Sequence, residues 1–216
     1  MGLRFTIIVI LLLAVGSVRA ADSSSYFFVF LNANPNRSTI EKDSLNRLQA
    51  GHLANITRLY NEGKLVVAGP FGDSLAGGVF ILKSGSLETA TAMLGSDPAI
   101  SAGRYVLELF PLRIRSGSFC TAPDENAMAK YPFARLAIDK NMSKEHRALH
   151  EQYYSDLAQS KKILFHGSLG DSTSVVVFVQ DDKLDSARSI VLSDPAASQM
   201  RPMMRVWWNA RGIFCE

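Results

Sequence analysis

Apolar and polar positions follow two rhythms along this chain. Compact apolar runs, YFFVFL, GGVFILK and YVLELFPLRI early and FARLAI, SVVVFVQ and PMMRVWWNA late, have the length and the β-branched and aromatic content of strands. Between them lie segments whose apolar residues recur every three or four positions. Leu45, Leu48, Ile56 and Leu59 fall on one helical face. A Ser38-x-x-Glu41 capping box predicts where that helix starts, and Gly63 marks its end. The segments LETATAMLGS and KLDSARSIVLS read as shorter helices, and each runs into an Asp-Pro pair, Asp97-Pro98 and Asp194-Pro195. Proline disfavours a helical conformation in the residue before it, so both helices should stop there.

The two rhythms repeat as a unit. Anchored on His52 and His150, the halves share a Leu seven residues on (Leu59, Leu157), a Lys (Lys64, Lys162), then Gly69/Gly167, Gly72/Gly170 and Asp73/Asp171. Each half therefore reads β-α-β-β-α-β, the order of a ferredoxin-like unit in which two helices cover one face of an antiparallel sheet. This places a first domain at residues 21–118, a linker rich in breakers and polar residues at 119–131, and a second domain at 132–216. The cysteines respect the same symmetry: Cys120 and Cys215 both close a G-x-F-C tail after the last strand of their half. Equivalent positions in two pseudo-symmetric domains can meet across the axis relating them, which favours a disulfide over two separate thiols.

One residue breaks the apolar pattern in both halves. His52 lies at the centre of the stripe on the first helix, and His150 is flanked in the same way by Tyr153, Tyr154 and Leu157. A single such histidine reads as a core residue satisfied by a carbonyl and a hydroxyl. Two diverged halves that each retain an imidazole where leucine packs more readily point instead to acid/base use. An imidazole oriented by a carboxylate suits proton transfer around neutral pH. The candidate carboxylates are Asp97 and Asp194 after the shorter helices, Asp73 and Asp171 between the second and third strands of each half, and Asp139 at the end of the second half's first strand. Each also suits a turn or cap. His146 and His150 are spaced i, i+4, with His166 in the next strand, but the set lacks the Glu of a zinc-binding helix.

Composition narrows the setting. MGLRFTIIVILLLAVGSVRA has a basic residue, an apolar run and compact residues before a break after Ala20, the layout of a cleaved secretory signal over residues 1–20. A retained membrane anchor is the rival reading, but the run is short for a span of about 20 residues. Of the 23 Lys and Arg, Arg4 and Arg19 lie in this segment, which leaves 21 against 20 Asp and Glu. That balance, with no basic tract, argues against a nucleic-acid partner. The mature protein is expected to be soluble and periplasmic or secreted, with no membrane partner after cleavage. Asn36, Asn55 and Asn141 begin Asn-x-Ser/Thr sequons, and a sugar on Asn55 would need an outward helix face. There is no GxSxG elbow, phosphate-binding glycine loop or clustered Cys/His pattern, so neither a metal nor an organic cofactor is expected.

These residues together resemble the YciI-like (YCII-related) family of the dimeric α+β barrel superfamily. Its pattern is a first strand ending near an Asp, R-x-x-H-L on a helix, G-x-L-x-x-A-G-P, and D-P-x-x-x-A-G before the last strand. The first half carries His52-Leu53, Gly63-K-L-V-V-A-Gly69-Pro70 and Asp97-Pro98-A-I-S-Ala102-Gly103, a match over most of residues 26–114. It has Gln49 in place of the Arg and Asn34 in place of the strand-end Asp. The second half has Arg147-x-x-His150 and Asp139, but Ser168 replaces the Pro and the A-G after Asp194-Pro195 is missing. The resemblance implies an α+β fold of two tandem ferredoxin-like units packed as an intramolecular dimeric α+β barrel, a pseudo-dimer within one chain. It also implies a His/Asp dyad beside a small cavity, with His52, His150, Asp97, Asp139, Asp194 and Arg147 as the candidate site residues. The expected function is cofactor-independent proton transfer on a small organic molecule, of isomerase or lyase type. The alternative is a binding or interaction protein whose pockets are vestigial.

Overall fold

A computed structural model describes residues 25–73, 75–122, 127–170, 173–179 and 183–215. The N-terminal segment 1–20, the centre of the expected linker and Asp171 lie outside them. The first half runs β1 (Ser25–Ala33), α1 (Lys42–Asn61), β2 (Leu65–Pro70), β3 (Gly78–Ser84), α2 (Leu87–Gly95), α3 (Pro98–Ser101) and β4 (Tyr105–Ser116). The second runs β5 (Met128–Ile138), α4 (Lys144–Gln159), β6 (Ile163–Leu169), β7 (Thr173–Phe178), α5 (Leu184–Leu192), a 3-10 turn (Ala197–Gln199) and β8 (Met200–Ala210).

The expected order is present, with three local differences. Asp97 starts a helix as well as following one: its Oδ1 accepts the N–H groups of Ala99 and Ile100, and Pro98 takes the first helical position of α3. The Ser38–Glu41 capping box does not form. The chain stays non-helical up to Glu41, whose side chain makes no cap hydrogen bond, and the Ser38 carbonyl is taken by the Arg104 guanidinium at 2.7 Å. Finally, β5 begins at Met128, inside the stretch expected as linker, because Met128 to Tyr131 find partners along β8 from Ala210 to Trp207.

The strands form one sheet in the order β2-β3-β1-β4-β6-β7-β5-β8. β4 and β6 pair antiparallel from Leu112↔Leu169 to Ser116↔His166, joining the halves edge to edge. At the other end β2 meets β8. Phe71 bridges Trp207, the Gly72 N–H donates to the Val206 carbonyl at 2.9 Å, and the Trp207 indole N–H donates to the Gly69 carbonyl at 3.0 Å. The sheet thereby closes into a barrel, which removes the exposed strand edges that β2 and β8 would otherwise present.

Both faces of β1 are buried, which explains why YFFVFL is apolar along its whole length. Phe28 and Phe30 turn inward to a core shared with Phe71, Phe133, Phe165 and Trp207. Phe133 is fully buried, with its ring centroid 5.4 Å from that of Phe71 and 6.1 Å from that of Trp207. Phe27, Val29 and Leu31 turn outward under the helices of the first half, against Leu59 and Leu94. Leu136, Tyr154, Leu157 and Val191 build the matching layer of the second half. Among the described residues no helix is long and apolar enough to cross a membrane.

The tails after β4 and β8 form a clasp. Phe119 bridges Phe214, the Cys120 N–H donates to the Ile213 carbonyl at 2.8 Å, and the Cys215 N–H donates to the Ser118 carbonyl at 3.0 Å. Cys120 and Cys215 are disulfide-bonded with their Cα atoms 5.2 Å apart, closing a sequence separation of 95 residues. A cross-link over that span restricts the unfolded chain strongly. Replacing both cysteines by serine should lower the unfolding free energy by about 2–4 kcal/mol in urea titrations, and an unchanged midpoint would show that the clasp adds nothing.

Candidate functional site

Helix α1 lies across the outer face of β1 and β3 and delivers His52 to the floor between them. His52 is 8% exposed, and its ring stacks on Phe80 of β3, with centroids 5.8 Å apart and planes 16° apart. Its Nδ1 lies 2.7 Å from Asp97 Oδ2. Asp97 is completely buried, and the Asn55 amide also donates to Oδ2 at 3.4 Å. Burial alone would push the Asp97 carboxyl up, but the His52 hydrogen bond and charge, with the Ile100 and Ala99 N–H groups, outweigh it and hold the group below the usual carboxylate range. An ionised Asp97 requires the proton of neutral His52 to sit on Nδ1. The Nε2 lone pair is then free of the aspartate, and Nε2 makes no hydrogen bond among the described residues.

Beyond the imidazole lies a pocket of about 480 Å³, lined among others by Phe80, Ala68, Ile56, Phe71, Gln49 and Tyr105. The Tyr105 ring is 5.9 Å from that of His52. Burial and the Asp97 charge raise its phenol above the ordinary value, so it stays protonated at neutral pH and can donate a hydrogen bond. Tyr105 was not among the residues singled out from sequence. Its only signal is its position just after the Ala102-Gly103 turn, at the first residue of the last strand of that half.

The pocket is lined by first-half residues, and one residue of the second half braces three of them. Arg205 of β8 is buried and reaches Asp73, with Nε to Oδ2 at 2.6 Å and Nη2 to Oδ1 at 2.5 Å, while Nη2 also donates to the Ala76 carbonyl at 2.7 Å. Its guanidinium sits 3.8 Å over the Phe71 ring. The Arg205 hydrogen bonds hold the Asp73 carboxyl below the usual range despite partial burial. Ala76 has a φ of 55°, in the left-handed region that costs a residue with a Cβ about 1 kcal/mol or more, and Arg205 anchors it there. Gly72 lets the two halves approach closely: a Cβ there would lie 2.1 Å from the Trp208 indole nitrogen, so a larger residue would have to displace that ring.

The second half repeats the dyad in a fully buried setting. His150 Nδ1 lies 2.6 Å from Asp194 Oδ2, and the Ala196 N–H donates to Asp194 Oδ1 at 2.7 Å. His150 is fully buried, however, and its Nε2 lies 3.3 Å from the Ser174 hydroxyl. Strand register shows what fills the space: Ala68 faces Phe80 across β2 and β3, whereas His166 faces Val176 across β6 and β7. His166 thus stands where the first half has Ala68, and Tyr154 stands where it has Ile56, four residues on from each helix histidine. Their rings pack 4.9 Å apart, and the Tyr154 ring is 4.9 Å from that of His150. Burial, with His150 and Arg115 nearby, pushes His166 down to about 3, so it is a neutral filler. Burial and the Asp194 charge drive the Tyr154 phenol well above its ordinary value.

Of the six candidate residues, four form these two pairs, His52 with Asp97 and His150 with Asp194. Asp139 is placed elsewhere: its Oδ1 accepts the Asn141 N–H at 2.8 Å in the turn after β5. Arg147 is half-buried on α4, and no hydrogen bond joins it to either dyad. Asp73 is taken by Arg205. Asn55 is buried and shared among Asp97, Arg58 and Ser96, which leaves no outward face for a sugar on the folded protein. Among the described residues no group of three or more His, Cys, Asp and Glu is arranged to hold a metal ion.

Residues 26–112 match the family model of the YCII-related domain. A search of curated protein sequences returns no match. A monooxygenase-like protein from Lactobacillus acidophilus NCFM superposes with a TM-score of 0.52 at 10% identity, over 89% of this chain and 100% of that one. A chlorite dismutase variant from Candidatus Nitrospira defluvii superposes with a TM-score of 0.55 at 9% identity, over 86% and 92%. A 5-chloro-2-hydroxyhydroquinone dehydrochlorinase from Burkholderia phenoliruptrix AC1100 is 20% identical, covers 39% of this chain and 89% of its own, and has a TM-score of 0.32. The first two show that nearly the whole chain has the α+β barrel fold of those proteins.

The depressed Asp97 carboxyl carries a pH signature. A group whose folded pKa is lowered contributes stability that is present above its unfolded value of about 3.9 and is lost as pH falls through the folded value. Asp97→Asn keeps a good N-cap but removes the charge facing His52. It should lower stability at pH 7 by about 1–3 kcal/mol and flatten the loss of stability below about pH 4. Urea unfolding across that range measures both, and an unaltered acid limb would mean that Asp97 is not the linked group.

Proposed function

With residues 26–112 being a YCII-related domain, we propose that the first-half pocket is the active site of an acid/base enzyme of isomerase or lyase type. A small organic molecule enters beside His52, Nε2 removes a proton from an acidic carbon, and Asp97 stabilises the imidazolium that forms and keeps the ring oriented. The same Nε2–H then returns the proton at another atom or to a leaving group. Tyr105, protonated and adjacent, is suited to donate a hydrogen bond to the oxygen on which negative charge develops. One contrast carries this reading: His52 lines a pocket and its Nε2 has no hydrogen-bond partner among the described residues, whereas Nε2 of His150 is capped by Ser174 and its ring is walled in by His166 and Tyr154. The second half supports the barrel and the pocket rim, and its own dyad is structural.

The N-terminal pattern of residues 1–20, together with a disulfide, fits a mature protein that works outside the cytoplasm. A pseudo-dimer in one chain already supplies the subunit contact that separate copies would otherwise make.

Solvent deuterium exchange into a panel of small enolisable carbonyl compounds separates the two histidines. His52→Ala should cut the exchange rate by about 100-fold or more, as removal of a general base does. His150→Ala should retain the rate per folded molecule while lowering stability, because it breaks a buried hydrogen-bonded pair. Equal losses of rate in both variants would contradict a single working pocket. Ligand binding by the wild type without exchange of any compound would favour the binding-protein alternative.

A further inference from the structure

The His52 pocket adjoins a second chamber of about 220 Å³, and the two share Gln49, Ala76, Gly77 and Tyr105 in their walls. The outer chamber is lined by two cations, Arg37 and Arg104. Arg104 donates to the Ser38 carbonyl at 2.7 Å, and neither arginine is paired with a carboxylate among the described residues. Both act on the Tyr105 phenol, opposing the influence of Asp97, so Tyr105 stands at the junction of the apolar inner chamber and the cationic outer one.

The internal repeat supplies a control. Ala33 faces Tyr105 across β1 and β4, and Ile138 faces Met200 across β5 and β8, so Met200 stands where the first half has Tyr105. The Asn34 N–H donates to the Arg104 carbonyl and the Asp139 N–H to the Gln199 carbonyl, so Gln199 stands in place of Arg104. Three residues after Asn34 comes Arg37, and three after Asp139 comes Met142. Met142 and Met200 are both buried in the helix layer of the second half. The two arginines and the phenol therefore occur together in the half that has a pocket, and all three are replaced in the half whose site is filled.

We propose that the pocket takes a small carboxylic acid with a planar, conjugated or aromatic body, its carboxylate in the outer chamber facing Arg37 and Arg104 and its body against Phe80 beside His52. This rests on the reading of His52 as the acid/base group. Guanidinium groups favour carboxylates through charge-assisted, often bidentate hydrogen bonds. An anchored carboxylate also fixes the body, so that one carbon faces Nε2 and its oxygen faces Tyr105. The apolar inner walls reward a flat body by area burial and ring contact.

The test uses the mature full chain and matched pairs: benzoate, cinnamate and sorbate against their primary amides. Binding is followed by calorimetry and by the His52 ring resonances. Each acid should bind about tenfold or more tightly than its amide, with an affinity that weakens as salt is raised, and should shift the His52 signals. The doubly substituted Arg37→Gln, Arg104→Gln variant should lose the preference for acid while binding the amides as before. In His52→Asn the preference should persist, because the arginines create it. Acids and amides binding alike, a preference that survives loss of both arginines, or acids that leave the His52 signals unmoved would each overturn the assignment. If proton exchange by the wild type remained intact alongside any of these results, the acid/base reading would stand and the carboxylate assignment alone would fall.

Discussion

Everything else in this structure depends on the two halves burying their inner sheet faces against each other. Each half presents one face of four strands to its own helices and the other to its twin, so neither has a complete core alone. The inner residues Phe28, Phe30, Phe133 and Trp207 come from both halves and touch one another across the barrel. Closing the sheet between β2 and β8 then brings the backbone of Gly69 to Gly72 against Val206 to Trp208. That close approach lets Arg205 of the other half brace Asp73, Ala76 and Phe71 in the wall of the His52 pocket.

The barrel also explains how two copies of one motif could diverge. A buried His–Asp pair serves as a packing element as readily as a reactive one, since both ring nitrogens can be satisfied internally. In the second half Ser174 takes the second nitrogen, while His166 and Tyr154 occupy the volume left open by Ala68 and Ile56 in the first. The exchange substitutes stacking and burial for a cavity. Stability of this kind frees the first half to keep an unfilled pocket, a strained Ala76 and an imidazole nitrogen with no hydrogen-bond partner among the described residues, all of which weigh against the fold locally.

Much of this was legible along the chain. The strand and helix order, the repeat, the meeting of the two cysteine tails and the histidine on each apolar stripe all follow from periodicity and from equivalence between halves. The choice among aspartates did not follow. Asp97 and Asp194 are the partners because an N-cap position holds the carboxylate still while leaving one oxygen for the imidazole. Asp139 resembles them in sequence but turns its oxygen to its own loop, and Asp73 meets an arginine 132 residues away.

The sequence by itself determined that there are two α+β units, that they share one plan, and that each carries an imidazole on its buried helix face, since local periodicity and internal repetition are properties of the chain. Only the tertiary structure decided that one imidazole faces a pocket and the other a filled core. That difference depends on whether Ala68 or His166, and Ile56 or Tyr154, occupy the volume beside the ring. Such volumes are set by side chains from separate strands and helices, and they exist only once the barrel has closed.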